Sequence, residues 1–329
     1  MSTVQLGGTA IDTSIHKIGL GLMTLTWGPD ASDERSFGII KTAIELTPPD
    51  QKLFLNSAEF YGEDRDVANL EMLSRFFARF PELADLTFLS VKGTMSAAPE
   101  AIRQSVANCL NALKGQKKID LFQCCRVDPT IPVESAIRTL ADLVKEGKFD
   151  HIGLSECSAR TLRRANAVHP ITAVEIEISP FSYEDETRAV IVASQELNVT
   201  VIAYSPLGHG FLTGKFNKQD LGARDIRRHL ARFQDDAMAH NQQIVDSLVA
   251  AADARSITAG QLCIAWVAAL GSNIVPLPGT TKVDRLRENM KAVNIKLRSD
   301  DTSELTEALA KIEIQGGRYF DRTGELLWG

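Results

Sequence analysis

Two neighbouring cysteines are the first feature of this sequence that could carry chemistry. The segment IDLFQCCRVDP, residues 119–129, ends an apolar run in Cys124 and Cys125. Such a pair could ligate a metal, act in thiol redox chemistry, or occupy a pocket position that usually holds another residue. The cysteines show no Cys-x-x-Cys spacing and no histidine-rich partner, so no metal site is predicted. A disulfide between them is disfavoured, because adjacent Cα atoms lie closer together than a disulfide normally requires.

A tyrosine and a lysine are the next candidates. Tyr61 lies in AEFYG, and Lys92 follows the apolar run LTFLSV. A phenol is a weak acid with an ordinary pKa of about 10, and a nearby ammonium lowers that pKa by stabilising the phenolate. Taken singly, each residue has an ordinary structural explanation, as a half-buried ring or a solvated cation. Lys92 nevertheless needs a partner or an open cleft at the end of such a run.

Composition limits the class of protein that carries these residues. The 329 residues are 44% hydrophobic and 24% charged, which permits two ordinary domains or one large α/β barrel and excludes global disorder. The net charge of −6 and the lack of a basic run argue against nucleic acid or an anionic membrane as partner. The N-terminus lacks a signal segment, and the run LCIAWVAAL is too short to span a bilayer. A soluble, cytoplasmic protein is expected, with the nucleus and the oligomeric state left open.

Apolar runs alternate with amphipathic helical segments along most of the chain. The predicted strands are residues 17–23, 52–56, 86–93, 119–125, 151–156, 172–179, 199–208 and 273–279. The intervening helices include residues 32–46, 67–80, 98–115, 133–148, 159–169, 186–198 and 283–293. This alternation predicts a parallel sheet, and at this length a closed (β/α)8 TIM barrel forming a single domain. The alternative, a doubly wound open sheet, requires a Gly-x-Gly-x-x-Gly turn after its first strand, which GLGLMT does not supply.

Two segments exceed the repeat. Residues 209–240 are predicted to be a long polar loop after the seventh strand and a candidate lid. Residues 295–329 contain an extra helix, SELTEALAKI, and an aromatic tail, which is expected to pack on the barrel rather than to cover a pocket. The active site of a (β/α)8 barrel lies at the carboxyl ends of its strands, so Tyr61, Lys92 and Cys125 should face one opening.

A series of short motifs at these strand ends resembles a known family. The motifs are AEFYG, FLSVKG, GLSE, AYSPLG followed by GFLTGK, and PGTTK followed by RLRENM. In this order, over about residues 17–294, they are similar to those of the aldo-keto reductases, (β/α)8 oxidoreductases that use NADPH without a Rossmann fold. The segments GLGLMTLTW, DLFQCCRVDP and RRHLARFQ are most similar to the fungal-type pyridoxal reductases (pyridoxine 4-dehydrogenases). The resemblance implies NADPH-dependent reduction of a small-molecule aldehyde to an alcohol, with pyridoxal as the expected substrate.

The resemblance also implies roles for individual residues. Tyr61 would donate the proton and Lys92 would lower its pKa, with Asn56 and Cys125 at the other two catalytic positions. The nicotinamide end of NADPH would contact Ser155, Glu175 and Tyr204, and its pyrophosphate Ser205, Leu207 and Gly208. The 2′-phosphate and adenine would contact Thr280, Thr281, Lys282, Arg285, Glu288 and Asn289, where a helix N-terminus and two cations suit a phosphate. The substrate pocket would include Met23, Trp27 and Arg126.

Two of the four catalytic positions depart from the family pattern. The family has an aspartate where this chain has Asn56 and a histidine where it has Cys125. Cys125 should therefore line the pocket, while strand alternation turns Cys124 towards the helices. Loss of the carboxylate at position 56 predicts that Lys92 acts on Tyr61 with less charge cancellation, shifting the acid limb of activity to lower pH.

Three other interpretations of the site remain open. The chain could be a broad-specificity aldehyde reductase. It could also be an NADPH-binding sensor or regulatory subunit with weak turnover, as in the potassium-channel β subunits that share this fold. A redox role for Cys125 is less favoured, because the sequence assures no basic group beside the thiol.

Overall fold

The computed structural model describes residues 2–27, 31–222, 225–319 and 326–329. Its strands are β1 (Thr3–Gln5), β2 (Ser14–His16), β3 (Leu20–Gly21), β4 (Leu53–Ala58), β5 (Thr87–Gly93), β6 (Leu121–Cys124), β7 (His151–Ser155), β8 (Ala173–Glu177), β9 (Thr200–Tyr204) and β10 (Ile274–Leu277). Its α-helices are α1 (Met23–Thr26), α2 (Asp33–Glu45), α3 (Ala68–Arg79), α4 (Pro99–Leu113), α5 (Val133–Lys145), α6 (Ala159–Val168), α7 (Asp185–Glu196), α8 (Asp235–Asp253), α9 (Ala259–Ala269), α10 (Val283–Lys291) and α11 (Ser299–Ala310).

Strands β3 to β10 form one parallel sheet in chain order. The sheet closes on itself where Gly21 of β3 bridges to Gly279 after β10. The amide of Gly21 donates a hydrogen bond to the carbonyl of Pro278 over 3.0 Å. These contacts confirm the predicted (β/α)8 barrel and exclude the open doubly wound sheet.

The helices form an outer layer because each buries an apolar stripe against the barrel. In α4, Ile102, Val106, Cys109 and Leu113 recur at helical spacing and are all buried. Helix α9, which contains Cys263, is apolar on all sides and is buried on most of them. Among the described residues, no helix combines the length and the apolar composition needed to cross a bilayer.

A short antiparallel hairpin, β1 and β2, closes the amino-terminal end of the barrel. Its residues Val4 and Ile15 join the apolar cluster inside the barrel, together with Phe54. Gly7 packs so tightly that a Cβ atom would lie 1.9 Å from the carbonyl oxygen of Asn198. No strand is predicted here from the sequence, because elements of three residues show too little alternation to be detected.

The two segments beyond the repeat are packed against the barrel. The predicted loop 209–240 contains several 3₁₀ turns and buries Phe211, Leu212 and Phe233. Its predicted end is wrong, because helix α8 already begins at Asp235. In the tail, Arg318 is buried and Trp328 packs on the outer core, while residues 320–325 lie outside the described part of the chain.

Candidate functional site

Four polar side chains form a layer inside the barrel towards its carboxyl-terminal end. They are Asn56 of β4, Lys92 of β5, Gln123 of β6 and Glu175 of β8. Each lies an even number of positions beyond an interior apolar residue of its own strand, namely Phe54, Phe88, Leu121 and Ala173. Strand alternation therefore turns all four towards the barrel axis, and all four are buried.

The centre of this polar layer is an ion pair between Lys92 and Glu175. The Lys92 Nζ atom donates to Glu175 Oε1 over 2.6 Å and to Asn56 Oδ1 over 2.5 Å. The other Glu175 oxygen accepts from Asn56 Nδ2 over 2.8 Å and from Gln123 Nε2 over 2.6 Å. Burial by itself lowers the pKa of Lys92, but the charge of Glu175 and the bonds to it outweigh burial and raise the pKa above its usual value.

This ion pair corrects the expectation drawn from Asn56. The sequence predicted that the amide at position 56 leaves Lys92 without a neighbouring carboxylate. Instead, Glu175 supplies a carboxylate from the opposite part of the barrel wall, 83 positions along the chain from Lys92. The premise of a lower acid limb of activity is therefore wrong, since the charge of Lys92 is compensated.

Tyr61 and Lys92 meet at the carboxyl-terminal end of the barrel. The Lys92 Nζ atom lies 5.1 Å from the centroid of the half-buried Tyr61 ring. The turn that carries Tyr61 is held from α1, where Thr26 Oγ1 donates to the Tyr61 carbonyl over 2.5 Å. Burial raises the pKa of Tyr61, and the charge of Lys92 and a hydrogen bond with it act in the opposite direction. The phenol is therefore protonated at neutral pH and faces a cation that would stabilise its anion.

The two cysteines lie on opposite sides of the barrel wall, as the alternation predicts. Cys124 belongs to the outer core that packs against the helices. Cys125 is buried near the interior charges of Lys92 and Glu175, with Arg126 Nη1 3.4 Å from its Sγ atom. Burial raises the pKa of the Cys125 thiol despite the nearby charges of Arg126 and Lys92. A basic group is thus present beside the thiol, but the thiol stays protonated at neutral pH, which disfavours redox chemistry.

The tail contributes site residues that sequence reasoning missed. Arg318 Nη2 donates to Glu156 Oε1 over 2.8 Å, and Arg318 Nε donates to Glu177 Oε2 over 3.2 Å. The Tyr204 hydroxyl donates to the same Glu156 oxygen over 2.7 Å and lies 2.9 Å from the Tyr319 hydroxyl. Tyr319 thus lies at the opening, contrary to the expectation that the tail only packs on the barrel. The signal that could have found this contact is an arginine in an aromatic tail, together with two glutamates at strand ends.

The other predicted cofactor residues lie at the same end of the barrel. Ser155 is buried at the end of β7, and Ser205 and Gly208, after β9, have φ angles of 52° and 53°. Thr280 and Asn289 are buried, Thr281 is half-buried, and Lys282 and Arg285 are exposed at the start of α10. Leu207 and Glu288 both border Gly260 of α9, within 4 Å of where its Cβ would be, and Glu288 Oε1 accepts from Thr258 Oγ1 over 2.6 Å.

The predicted substrate-pocket residues surround Tyr61 and Cys125 in different ways. Met23 and Trp27 are half-buried at the two ends of α1, the element whose Thr26 holds the Tyr61 turn. The Arg126 guanidinium lies 5.7 Å from the centroid of the Tyr319 ring. Among the described residues, no three His, Cys, Asp or Glu side chains form a group that could hold a metal ion.

The residues at this end of the barrel suit the phosphate end of a dinucleotide better than its nicotinamide end. Exposed Lys282 and Arg285 at the start of α10 suit a phosphate group. At the side where the resemblance would place the nicotinamide, Ser155 and Tyr204 lie at the ends of β7 and β9, but both oxygens of Glu175 already accept bonds from protein donors. Glu175 is therefore poorly suited to the carboxamide role predicted from the sequence.

The fold and site together define a (β/α)8 barrel with a phenol and an ammonium at its carboxyl-terminal opening, the arrangement of a barrel oxidoreductase. The family model described as "Aldo/keto reductase family" matches residues 17–310, and the chain belongs to this family. It is 35% identical to "Probable pyridoxal reductase 2" of Schizosaccharomyces pombe, over 93% of this chain and 95% of that protein. It is 36% identical to "Aldo-keto reductase yakc [NADP(+)]" of the same organism, over 93% of this chain and 92% of that protein.

Solved structures support the same fold. The glycerol dehydrogenase of Gluconobacter oxydans superposes with a TM-score of 0.79 at 21% identity, covering 94% of this chain and 96% of that chain. A thermostable aldo-keto reductase in complex with the inhibitor epalrestat superposes with a TM-score of 0.68 at 26% identity, covering 93% of this chain and 99% of that chain.

Proposed function

We propose that the protein reduces an aldehyde to an alcohol with NADPH as the hydride donor, and that its preferred substrate is pyridoxal, which it converts to pyridoxine. The observation that carries the proposal is the meeting of Tyr61 with Lys92 at the open end of the barrel, 5.1 Å apart from ammonium to ring centre. Membership of the aldo/keto reductase family and the similarity to a protein named as a pyridoxal reductase support the choice of reaction and substrate.

The cofactor would be held by the exposed cations of α10 at its phosphate and by Ser155 and Tyr204 at its nicotinamide. When bound, NADPH supplies a hydride to the carbonyl carbon. Tyr61 gives its hydroxyl proton to the carbonyl oxygen as the carbon–oxygen π bond breaks, so the aldehyde becomes an alcohol. The Lys92 ammonium stabilises the tyrosinate left behind, which then regains a proton from water.

The substrate choice depends on Cys125 and Arg126. A cysteine is smaller than the histidine of the family pattern, and it leaves more room for an aromatic aldehyde beside Tyr61. The half-buried Arg126 guanidinium, which approaches the Tyr319 ring, is a suitable partner for the phenolate oxygen of pyridoxal.

The test is NADPH oxidation followed at 340 nm with pyridoxal, with a panel of other aldehydes and with NADH as the control cofactor. The proposal expects pyridoxal to give the highest kcat/KM and NADPH to be strongly preferred. Similar values across the panel would indicate a broad-specificity reductase instead.

Tyr61→Phe separates an enzyme from an NADPH-binding sensor. Loss of the general acid should lower kcat by roughly 10²- to 10⁴-fold while the Kd for NADPH stays unchanged. Phe60→Leu is the matched control, because it alters the neighbouring ring, 5.5 Å away between centroids, and leaves the phenol in place. A Tyr61→Phe protein with the same kcat as the native protein would contradict the enzyme assignment.

A further inference from the structure

The carboxylate of Glu175 and the amide of Asn56 both contact the Lys92 ammonium. Lys92 Nζ has both as acceptors, at 2.6 Å and 2.5 Å. We propose that Glu175 is the positioning residue that keeps Lys92 charged and directed at Tyr61, and that Asn56 serves to orient Glu175. This inference rests on the proposed function and assigns Glu175 a role other than binding the carboxamide.

Burial makes the carboxylate necessary. The side chains of Lys92 and Glu175 are only 6% and 4% exposed, so neither charge is solvated by bulk water. A buried ammonium without an anionic partner loses its proton readily, and a neutral amine would no longer stabilise the tyrosinate. Glu175 is the carboxylate in contact with Lys92, so it carries the charge that the family pattern assigns to position 56.

The amide of Asn56 has one orientation that satisfies both neighbours. Its Oδ1 atom accepts from Lys92, and its Nδ2 atom donates to Glu175 Oε2 over 2.8 Å. Gln123 Nε2 donates to the same Glu175 oxygen over 2.6 Å. An aspartate at position 56 would place a second carboxylate against Glu175, and two like charges at that distance cannot both ionise freely. Asn56 and Glu175 therefore form a matched set, one amide and one carboxylate.

Exchange of the two groups is the decisive experiment. Glu175→Gln should lower kcat at neutral pH by roughly 10- to 100-fold, because Lys92 loses the acceptor that directs its ammonium at Tyr61. Its alkaline limb should move to lower pH, because the less stabilised ammonium loses its proton earlier. Asn56→Asp should also lower kcat, through repulsion between two carboxylates. The double variant Asn56→Asp/Glu175→Gln restores one carboxylate and one amide beside Lys92, and it should recover to within about threefold of the native rate.

Two controls distinguish this role from a general structural one. Glu59→Gln changes another glutamate just past the end of β4, whose oxygens accept from Ser105 and from Asn108, and it should leave the pH profile unchanged. The Kd for NADPH should stay within about twofold of the native value in Glu175→Gln. A weakened Kd with a native pH profile would place Glu175 at the cofactor and overturn the proposal, as would a double variant no better than the single ones.

A measurement without substrate separates this inference from the proposed function. The side-chain nitrogen resonance of Lys92, assigned by its loss in Lys92→Met, should titrate at lower pH in Glu175→Gln than in the native protein. If the native protein shows no turnover while this titration shifts as expected, the proposed function fails and the role of Glu175 stands. An unshifted titration refutes the role of Glu175 whatever the activity.

Discussion

Replacement of Arg318 by methionine tests whether the tail is anchored by charge. The Arg318 side chain is 2% exposed and bridges Glu156 and Glu177, whose side chains are 0% and 2% exposed. Methionine keeps most of the aliphatic stem and removes the guanidinium, so two buried carboxylates lose their main cation. Removal of one partner of a buried ion pair costs about 3–5 kcal/mol of unfolding free energy.

The expected loss can be converted into a shift in melting temperature. At roughly 2.1 cal/mol/K per residue, a chain of 329 residues has an unfolding entropy of about 0.7 kcal/mol/K. The Arg318→Met protein should therefore melt about 4–7 °C below the native protein at neutral pH. Thermal unfolding followed by circular dichroism measures this difference directly.

The pH dependence gives a second and sharper signature. Burial would raise the pKa of Glu177, but Arg318, with His209, Arg232 and Ser182, more than offsets burial and lowers it. A carboxylate with a lowered pKa stabilises the native protein above its unfolded pKa, and that stability is lost as the pH falls through the folded pKa. Without Arg318 the pKa of the carboxylate rises, so the folded variant binds a proton that the unfolded chain releases. The deficit of Arg318→Met should therefore widen as the pH rises from 5 to 8.

Arg298→Met is the matched control for this prediction. Arg298 pairs with Asp301 over 3.1 Å, but its side chain is 82% exposed, and such surface pairs contribute about 0–1 kcal/mol. A deficit in Arg318→Met no larger than in Arg298→Met, or one that is independent of pH, would refute the role of charge in anchoring the tail.

Two further predictions concern other buried side chains. Burial lowers the pKa of Lys17 from 10.5 to about 8, a shift equivalent to about 3 kcal/mol. Between pH 8 and 10.5 the unfolded chain binds a proton at Lys17 that the native protein has released. The native protein should therefore gain stability as the pH rises through this range. Lys17→Met should lose this gain, as measured by urea unfolding at pH 8 and pH 10. An equal change in unfolding free energy between the two pH values in both proteins would contradict the prediction. Cys125→His, which fills the space beside Tyr61, should lower kcat/KM for pyridoxal by at least tenfold more than for propanal, a difference of about 1.4 kcal/mol. Equal losses for both aldehydes in steady-state assays would show that the size of residue 125 does not select the substrate.

The (β/α)8 barrel could be predicted from the sequence because its signals are local. Runs such as residues 86–93 and 172–179 are bounded by amphipathic helices, and that alternation defines a parallel sheet before any contact is known. The opposite orientations of Cys124 and Cys125 follow from the two-residue period of a strand, and in the structure Cys124 lies in the outer core while Cys125 lies near the interior charges of Lys92 and Glu175. The sequence also predicts that Tyr61 and Lys92 face one opening, because the active site of a (β/α)8 barrel lies at the carboxyl ends of its strands.

Tertiary structure alone decided which charges meet. The partner of Lys92 lies 83 positions away along the chain, and the partner of Arg318 lies 162 positions away. A local sequence pattern carries no information about which residues pair at such separations. Asn56 by itself indicated a missing carboxylate, but closure of the barrel brings β8 opposite β4 and β5 and places Glu175 beside the ammonium. Local periodicity fixes where each side chain points along its strand, whereas the closed geometry of the sheet determines which side chains face one another across it.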